Sequence, residues 1–234
     1  MHWIDKYAEL LVNYSLYLKE GEKVFVRATT LAEPLVKSFY TAAIKAGALV
    51  ETEISFEDQE RILLQYGTKE QLNYISASYQ QAIQNFDAYL VIRAPHESSL
   101  GFSILEENRT IRSQALAPFD QIYFKRLGDG SLKRSLCQYP TTHAANIAGM
   151  SLDEYTAFIV HACFLDMEHP ADQWKILSLN QQRIVDYFNK CSQFIYRNPN
   201  FEIKFSTIGR KWINSDGKAN MPSGEVFTLS LIHI

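Results

Sequence analysis

Apolar and polar positions at the start of the chain follow two periods in turn, one typical of helices and one of strands. Apolar residues recur at spacings of three and four over residues 3–19, which predicts an amphipathic helix that ends at Gly21. Residues 23–28 and 48–54 are short runs of β-forming residues and are predicted to be strands. Residues 30–46 between them combine a capping-box spacing, a proline in the first turn and a helical apolar pattern. The pattern predicts a right-handed strand–helix–strand unit with parallel strands.

The same alternation continues through the middle of the chain. Thr68-Lys69-Glu70-Gln71 has the spacing of a capping box, and a long helix is predicted to follow it to about Phe86. A buried strand is predicted next, over residues 87–93. The pattern further predicts helices at residues 103–117, 151–164 and 171–194, and strands at residues 121–125 and 135–139. Strands that alternate with helices predict the α/β class, with a mostly parallel sheet flanked by helices.

The character of the sequence changes near residue 198. Asn198-Pro199-Asn200 is a turn, and residues 201–205 alternate with period two, which predicts a half-exposed strand of the antiparallel type. We therefore expect two domains. Residues 1–197 form the α/β N-terminal domain, and residues 198–234 form the first strands of an incomplete second domain.

Composition and charge exclude several classes of function. The chain has 234 residues, a formal net charge of −3 and 21% charged residues, so its surface is not suited to nucleic acid or to an anionic membrane. Its three cysteines are widely spaced and form no CxxC pair, which fits a reducing, cytoplasmic compartment. The first six residues include charged ones, so we expect neither a signal peptide nor a membrane span there.

Motifs for several common chemistries are missing from the sequence. No GxGxxG follows a strand, so the βαβ pattern lacks the turn that binds a dinucleotide, and no GxSxG supports a serine hydrolase. The densest group of possible metal ligands is His161, Cys163, Asp166 and His169. That group lacks the matched spacing of a zinc site such as HxxxH, and we interpret its members as packing and surface residues.

The segment Asn220–Thr228 carries a different signal. Pro222 and Gly224 fix a sharp loop that delivers Glu225 to the start of a strand, which by composition alone is a turn with an incidental acid. The segment is, however, very similar to the one by which aminopeptidases of the M29 family supply their first metal-binding glutamate. Other segments resemble the same family in the same order: Tyr7–Val12, Gly21–Val24, Ala32–Leu35, Ala46–Ala48, Tyr139–Thr141 and Ala148–Tyr155. The resemblance covers residues 1 to about 228.

The resemblance implies a metal-dependent aminopeptidase, a cytoplasmic exopeptidase that releases N-terminal residues from peptides. Members carry an α/β N-terminal aminopeptidase domain and a C-terminal domain that binds two divalent ions, zinc or cobalt, or alternatively magnesium or manganese. They act on peptide substrates, need neither nucleic acid nor membrane, and form homodimers when full length. Glu225 is the one residue here that matches a family metal ligand. The remaining ligands and the catalytic carboxylate are expected beyond residue 234.

Two expectations follow for the chain itself. Because a single carboxylate does not hold a divalent ion firmly, we expect an inactive fragment without bound metal and without a catalytic residue of its own. Residues 229–234 depart from the family pattern, which suggests that they are not native to it.

An alternative function rests on the residues alone. Residues 1–195 are also compatible with a non-catalytic α/β module that holds a small ligand at the switch point of its sheet. The downstream gene sequence separates the two hypotheses. A continuation rich in His, Glu, Tyr and Asp favours the enzyme, and a stop codon favours the module.

Overall fold

A parallel sheet of five strands forms the centre of the molecule. The computed structural model describes residues 2–97 and 103–228. Its strands are β1 (Lys23–Thr29), β2 (Leu49–Ser55), β3 (Ala88–Arg93), β4 (Lys133–Gln138), β5 (Gln193–Asn198), β6 (Phe201–Ser206), β7 (Trp212–Ser215), β8 (Asn220–Met221) and β9 (Glu225–Thr228). The central sheet has the order β2-β1-β3-β4-β8, and each neighbouring pair is parallel.

Helices cover the two faces of this sheet. They are α1 (Trp3–Leu10), α2 (Glu33–Lys45), α3 (Gln59–Tyr66), α4 (Lys69–Asn73), α5 (Ala77–Asn85), α6 (Glu106–Gly128), α7 (Thr142–Ile147), α8 (Leu152–Ala162) and α9 (Pro170–Phe188). α1 continues into a π-helical turn at Leu11–Ser15, and a 3₁₀ turn at Thr30–Ala32 precedes α2. No helix in the described ranges has both the length and the apolar composition needed to cross a membrane.

Each face of the central sheet has its own apolar core, and the side chains of β1 alternate between the two. Val24 and Val26 belong to the larger core, which includes side chains of α1 and α2. Phe25 points to the other face and packs with residues of α5, with Tyr89 of β3, and with half-buried residues of α6. Because successive side chains of a strand point to opposite faces, one apolar strand serves both cores. The predicted α/β class with a mostly parallel sheet is confirmed.

Capping boxes form at Thr68, as predicted, and at Ser151, where the helix predicted over residues 151–164 begins. Thr68 and Ser151 each form a complete capping box, in which the side chain three positions later accepts a hydrogen bond from the cap N–H at 2.8 Å. The box predicted at Thr30 is wrong. α2 begins after Ala32 without a side-chain cap, and the Thr30 hydroxyl lies 3.3 Å from Nε2 of His96 instead.

Three predicted elements in the middle of the chain are corrected by the structure. The long helix expected from Thr68 to about Phe86 is divided into α4 and α5 by a break at residues 74–76, and α3 is a separate helix before it. The strand expected at residues 121–125 is wrong, because α6 runs through Pro118 as one helix of 23 residues. The last helix ends at Phe188, and residues 193–198 form β5 in place of its predicted final turns.

Residues 193–228 form two antiparallel two-stranded sheets and one strand of the central sheet. β5 and β6 form an antiparallel hairpin, as predicted for residues 201–205, and β7 pairs with β9 in a second antiparallel ribbon. β8 lies between these elements in sequence but joins β4 in the central sheet. A boundary at 197/198 stays a prediction, and the short segment that contains β8 packs with the first domain. Residues 229–234 lie outside the described ranges.

Candidate metal-binding loop and sheet-edge cavity

Glu225 is the first residue of β9, where the chain emerges from a tight loop. It is paired with Ser215 of β7, and its side chain is exposed. The loop is closed by hydrogen bonds to the Ser215 carbonyl, which accepts from the N–H of Gly224 and the hydroxyl of Ser223, both at 3.0 Å. The Ser215 and Ser223 hydroxyls also lie 2.6 Å apart. The backbone that carries Glu225 is therefore fixed by main-chain and side-chain contacts within its own ribbon.

The segment before this loop is held by the π-helical turn. The Tyr14 hydroxyl donates to the carbonyl of Asp216 at 2.9 Å, and the Ser15 hydroxyl donates to the carbonyl of Gly217 at 2.8 Å. In a regular helix, consecutive side chains point about 100° apart. The wider π-helical turn presents these two neighbours to consecutive carbonyls. Burial, and next the nearby charge of Asp216, raise the pKa of Tyr14 well above its ordinary value.

The Asp216 side chain connects the same segment to α9. It is nearly buried, and it accepts a hydrogen bond from the Ser178 hydroxyl at 2.8 Å while also pairing with Lys218. Buried carboxylates are stable only when such partners are present. Asp216 is thus fully engaged in holding the loop to α9.

Met221 completes the attachment to the central sheet. Its side chain is 1% exposed, and its carbonyl accepts a hydrogen bond from the Tyr7 hydroxyl of α1 at 3.0 Å. Burial raises the pKa of Tyr7, and the neighbouring thiols of Cys163 and Cys137 raise it further. The loop of Glu225 is therefore anchored at one end to the core of the N-terminal domain.

The donor groups around Glu225 do not fit a pair of metal ions. Within residues 2–97 and 103–228, no three His, Cys, Asp or Glu side chains are grouped closely enough to hold an ion. Two-metal hydrolysis requires several carboxylates and imidazoles around ions about 3.5–4 Å apart. This loop alone therefore does not supply the ligands of a two-metal site.

The group His161, Cys163, Asp166 and His169 is dispersed in the structure. His161 Nδ1 and Asp166 Oδ2 form an exposed pair at 3.0 Å, and the contact with His161 lowers the pKa of Asp166. Cys163 is fully buried, and burial raises its pKa to about 12. His169 caps no helix with its side chain and lies 3.9 Å from Glu168 at the surface. The residues have separate roles in packing and at the surface.

A second feature lies at the carboxyl ends of β1 and β2. A cavity of about 950 Å³ opens between this end of the sheet and helices α3 to α6. From β1 the chain crosses to β2 on one side and later to β3 on the other, so the switch point of the sheet lies between β1 and β3. His96, which follows β3, also lines the cavity. Crevices of this kind are the usual ligand sites of open α/β sheets.

Charged groups from several elements meet in this cavity. Arg27 Nε of β1 lies 2.8 Å from Glu53 of β2, because the parallel register places these residues side by side. The Arg27 guanidinium also lies 5.3 Å from the ring centre of Tyr79. The sequence analysis named none of these residues. The available signal was the presence of charged residues within otherwise β-forming runs, Arg27 in one run and Glu51 and Glu53 in the next.

Comparison with known proteins places these features in context. The family model for thermophilic metalloproteases (M29) matches residues 2–231. Aminopeptidase 2 of Geobacillus stearothermophilus is 26% identical over 252 aligned residues, which cover 97% of this chain and 60% of that protein. The structure of wild-type AmpT from Thermus thermophilus superposes with a TM-score of 0.75 at 18% identity, covering 97% of this chain and 61% of that one. The chain thus spans about 60% of the length of the relatives it matches.

Proposed function

Because this chain belongs to the thermophilic metalloprotease family M29, we propose that it is the N-terminal part of a metal-dependent aminopeptidase that removes N-terminal residues from peptides. The observation that carries the proposal is the family match over residues 2–231. A relative named Aminopeptidase 2, aligned over 97% of this chain, supports the exopeptidase activity.

The proposed enzyme uses two divalent ions, zinc or cobalt, or alternatively magnesium or manganese, and Glu225 supplies one ligand. Its exposed position at the start of β9 leaves the carboxylate free to face groups from a further part of the protein. Carboxylates are suitable ligands for all of these ions. The remaining ligands and the catalytic carboxylate are proposed to lie beyond residue 234, so the 234-residue chain alone is inactive.

The domain division is proposed on the same basis. Residues 198–234 begin the metal-binding domain, and residues 1–197 form the α/β domain that carries it. The apolar side chains of the β5–β6 hairpin support this division, because Phe201, Ile203 and Phe205 are 46%, 52% and 42% exposed. Such surface is usually covered by another part of a protein. The full-length enzyme is proposed to be a cytoplasmic homodimer that acts on peptides and binds neither nucleic acid nor membrane.

Activity and metal content together test the proposal. The complete reading frame that contains this chain should hydrolyse leucine p-nitroanilide with added Zn²⁺ or Co²⁺, and the 234-residue chain should not. Glu225→Gln in the complete protein should lower activity by a factor of at least about 100 and reduce bound metal measured by mass spectrometry. Glu168→Gln is the control, because it alters an exposed acid that is distant from Glu225 in the sequence. Hydrolysis by the 234-residue chain, or equal behaviour of the two variants, would contradict the assignment.

A second candidate function is favoured by the sheet-edge cavity. A non-catalytic module would bind a small ligand there, at the carboxyl ends of the parallel strands. The two functions are compatible in one protein, because the cavity is lined by residues of α3 to α6 whereas Glu225 follows α9. Ligand binding without any peptidase activity in the complete protein would favour the module.

A further inference from the structure

The cavity at the carboxyl ends of β1 and β2 has the size and composition of a ligand site. Its volume of about 950 Å³ lies within the usual range for sites of small molecules. Aliphatic side chains of Leu63, Ile75 and Leu116 line it together with charged ones. A suitable ligand therefore has both an apolar part and polar groups.

The charges of the cavity wall are of both signs and lie close to each other. Arginines and acids form three neighbouring pairs there: Arg27 with Glu53 at 2.8 Å, Arg112 with Glu60 at 3.4 Å, and Arg61 with Asp58 at 3.9 Å. A ligand with a single sign of charge gains from one member of each pair and is repelled by the other. A zwitterion, which carries an ammonium and a carboxylate a few bonds apart, matches both.

Asp58 is the member of these pairs that most needs a further partner. Its side chain is only 6% exposed, yet within the described ranges its one ion pair is the long one to Arg61 Nε. No described residue donates a hydrogen bond to its carboxylate, although it stands at the N-terminus of α3. Its backbone has a φ of 59°, the left-handed region that costs a non-glycine residue energy. A carboxylate so little exposed gains from a hydrogen-bond donor, and an ammonium group in the cavity supplies one.

Arg61 offers the complementary group. Its side chain is 52% exposed, and the 3.9 Å contact with Asp58 is too long for a hydrogen bond. A guanidinium can donate two parallel hydrogen bonds to a carboxylate. Arg27 and Arg112 are more strongly committed, since Arg27 contacts Glu53 closely and Arg112 donates to the carbonyls of Leu72 and Tyr74.

We propose that this cavity binds α-amino acids or short peptides as zwitterions, with Asp58 contacting the ammonium group and Arg61 the carboxylate. The aliphatic lining then contacts the side chain of the ligand. The proposal does not depend on the peptidase activity, although free amino acids and shortened peptides are the products that such an activity releases.

Calorimetric titration of the 234-residue chain tests the proposal. L-leucine and L-leucyl-L-leucine are the two zwitterions, and their relative affinities distinguish a site for amino acids from one for peptides. N-acetyl-L-leucine lacks the ammonium, and L-leucinamide lacks the carboxylate. We expect at least one zwitterion to bind saturably and each half-ligand to bind about tenfold more weakly or not at all.

Two variants and a control assign the contacts. Asp58→Asn keeps the size of the side chain, and asparagine tolerates the left-handed backbone, so the fold should persist. Asp58→Asn should weaken zwitterion binding about tenfold and leave the binding of N-acetyl-L-leucine unchanged. Arg61→Gln should also weaken zwitterion binding about tenfold, but leave the binding of L-leucinamide unchanged. Asp166→Asn, which alters an exposed acid outside the cavity, should change nothing.

Three results would overturn the inference. One is that neither zwitterion binds to the natural chain. The second is that N-acetyl-L-leucine and L-leucinamide bind as tightly as the zwitterion. The third is that Asp58→Asn, with an unchanged melting temperature, binds like the Asp166→Asn control. Leucine has no peptide bond to hydrolyse, so a failure here is distinct from a failure of the aminopeptidase assignment.

Discussion

Gly217 is the residue at which the segment before Glu225 passes closest to the core. Its φ is 87°, and a Cβ atom there would lie 2.9 Å from both the Trp174 ring and the Met221 side chain. The Trp174 side chain is fully buried and cannot move away easily. Both the backbone conformation and the lack of space therefore require glycine at this position.

We expect Gly217→Ala to lower the free energy of unfolding by about 2–5 kcal/mol, from left-handed strain together with overpacking. Gly130→Ala is the matched control, since Gly130 has a φ of 76° with nothing within 4 Å of the added carbon. It should cost only about 1–2 kcal/mol. Urea unfolding of both variants measures the difference. Equal losses would show that the contact with Trp174 has no influence on stability.

Tyr79, a half-buried residue of the sheet-edge cavity, should make stability depend on alkaline pH. Burial, and next the neighbouring Tyr89, raise its pKa from 10.0 to about 12, although the charge of Arg27 partly opposes the shift. A pKa raised in the folded state contributes stability that is complete below pH 10.0 and is lost as pH rises through about 12. Tyr79→Phe should therefore reduce the fall in stability between pH 9 and pH 12. Urea unfolding across this range checks it, with exposed Tyr66→Phe as the control. A slope unchanged by Tyr79→Phe contradicts the prediction.

Among the elements, those with strong local signals were predictable from sequence. Strands β1 to β3 are short runs of β-forming residues between turn residues, and the capping boxes at Thr68 and Ser151 form because their partners lie three positions away. β8 was not predictable, because two residues carry no period and their pairing with β4 depends on distant packing.

The first half of helix α6 was predicted, whereas its second half was predicted to be a strand at residues 121–125. Phe119, Ile122, Tyr123 and Leu127 have the three- and four-residue spacing of a helix and pack on the smaller core. The Arg126 guanidinium further fixes the helix end by donating to the carbonyls of Ile83 and Phe86 at 2.9 and 2.7 Å. Tertiary contacts thus outweigh the cost of the proline.

Replacing Pro118 should accordingly strengthen this helix. Pro118 is exposed inside α6 and lacks the N–H that would complete the helical hydrogen bonds. We expect Pro118→Ala to raise the free energy of unfolding by about 1–3 kcal/mol, measured by urea unfolding. Ser113→Ala, at an exposed position of the same helix, should change it by less than about 0.5 kcal/mol. A loss of stability in the proline variant would mean that its ring makes a necessary contact.

The two candidate sites also differ in how much of each could be predicted from the sequence. The loop of Glu225 was found through a contiguous motif, whereas its attachment to Tyr14 and Ser15 joins residues about two hundred positions apart. The cavity was expected only as a general ligand site at the switch point. Its residues Arg27, Glu53 and Asp58 come from separate elements, and only the strand register brings the first two together.

At the scale of the whole molecule, the β5–β6 hairpin presents an apolar face that the described residues cover only at one end, where Phe194 packs on Phe188 and Trp212. The register places Tyr196 opposite Ile203 and Asn198 opposite Phe201 on that face, and the side chains of Tyr196, Phe201 and Ile203 are about half exposed. Exposed apolar strands promote association. We expect the 234-residue chain to self-associate in a concentration-dependent way, and the double variant Phe201→Thr with Ile203→Thr to reduce that association. Light scattering measures the effect. Ile195→Thr, on the opposite face, is the control, and an equal reduction by it would exclude this face as the cause.

The segment after the hairpin should behave differently, because it belongs to the packed part of the molecule. A chain that ends at residue 195 loses β8, the buried Met221 side chain and the carbonyls that accept hydrogen bonds from Tyr7, Tyr14 and Ser15. The Tyr14 and Ser15 hydroxyls each lose an acceptor, at about 0.5–1.5 kcal/mol, whereas the Tyr7 hydroxyl keeps the Gln138 carbonyl at 3.2 Å. Loss of the buried Met221 side chain costs about 1.5–3 kcal/mol more, so the total is about 3 kcal/mol or more. The shortened chain should therefore melt at least roughly 6–12 °C lower, even though it no longer carries the apolar hairpin. Calorimetric melting of the two chains and of the hairpin double variant separates the loss of packing around β8 from the removal of the apolar hairpin. If the shortened chain melts at the same temperature as the full one, the segment of residues 216–221 contributes nothing to the core, and its contacts with the π-helical turn do not hold the loop of Glu225 in place.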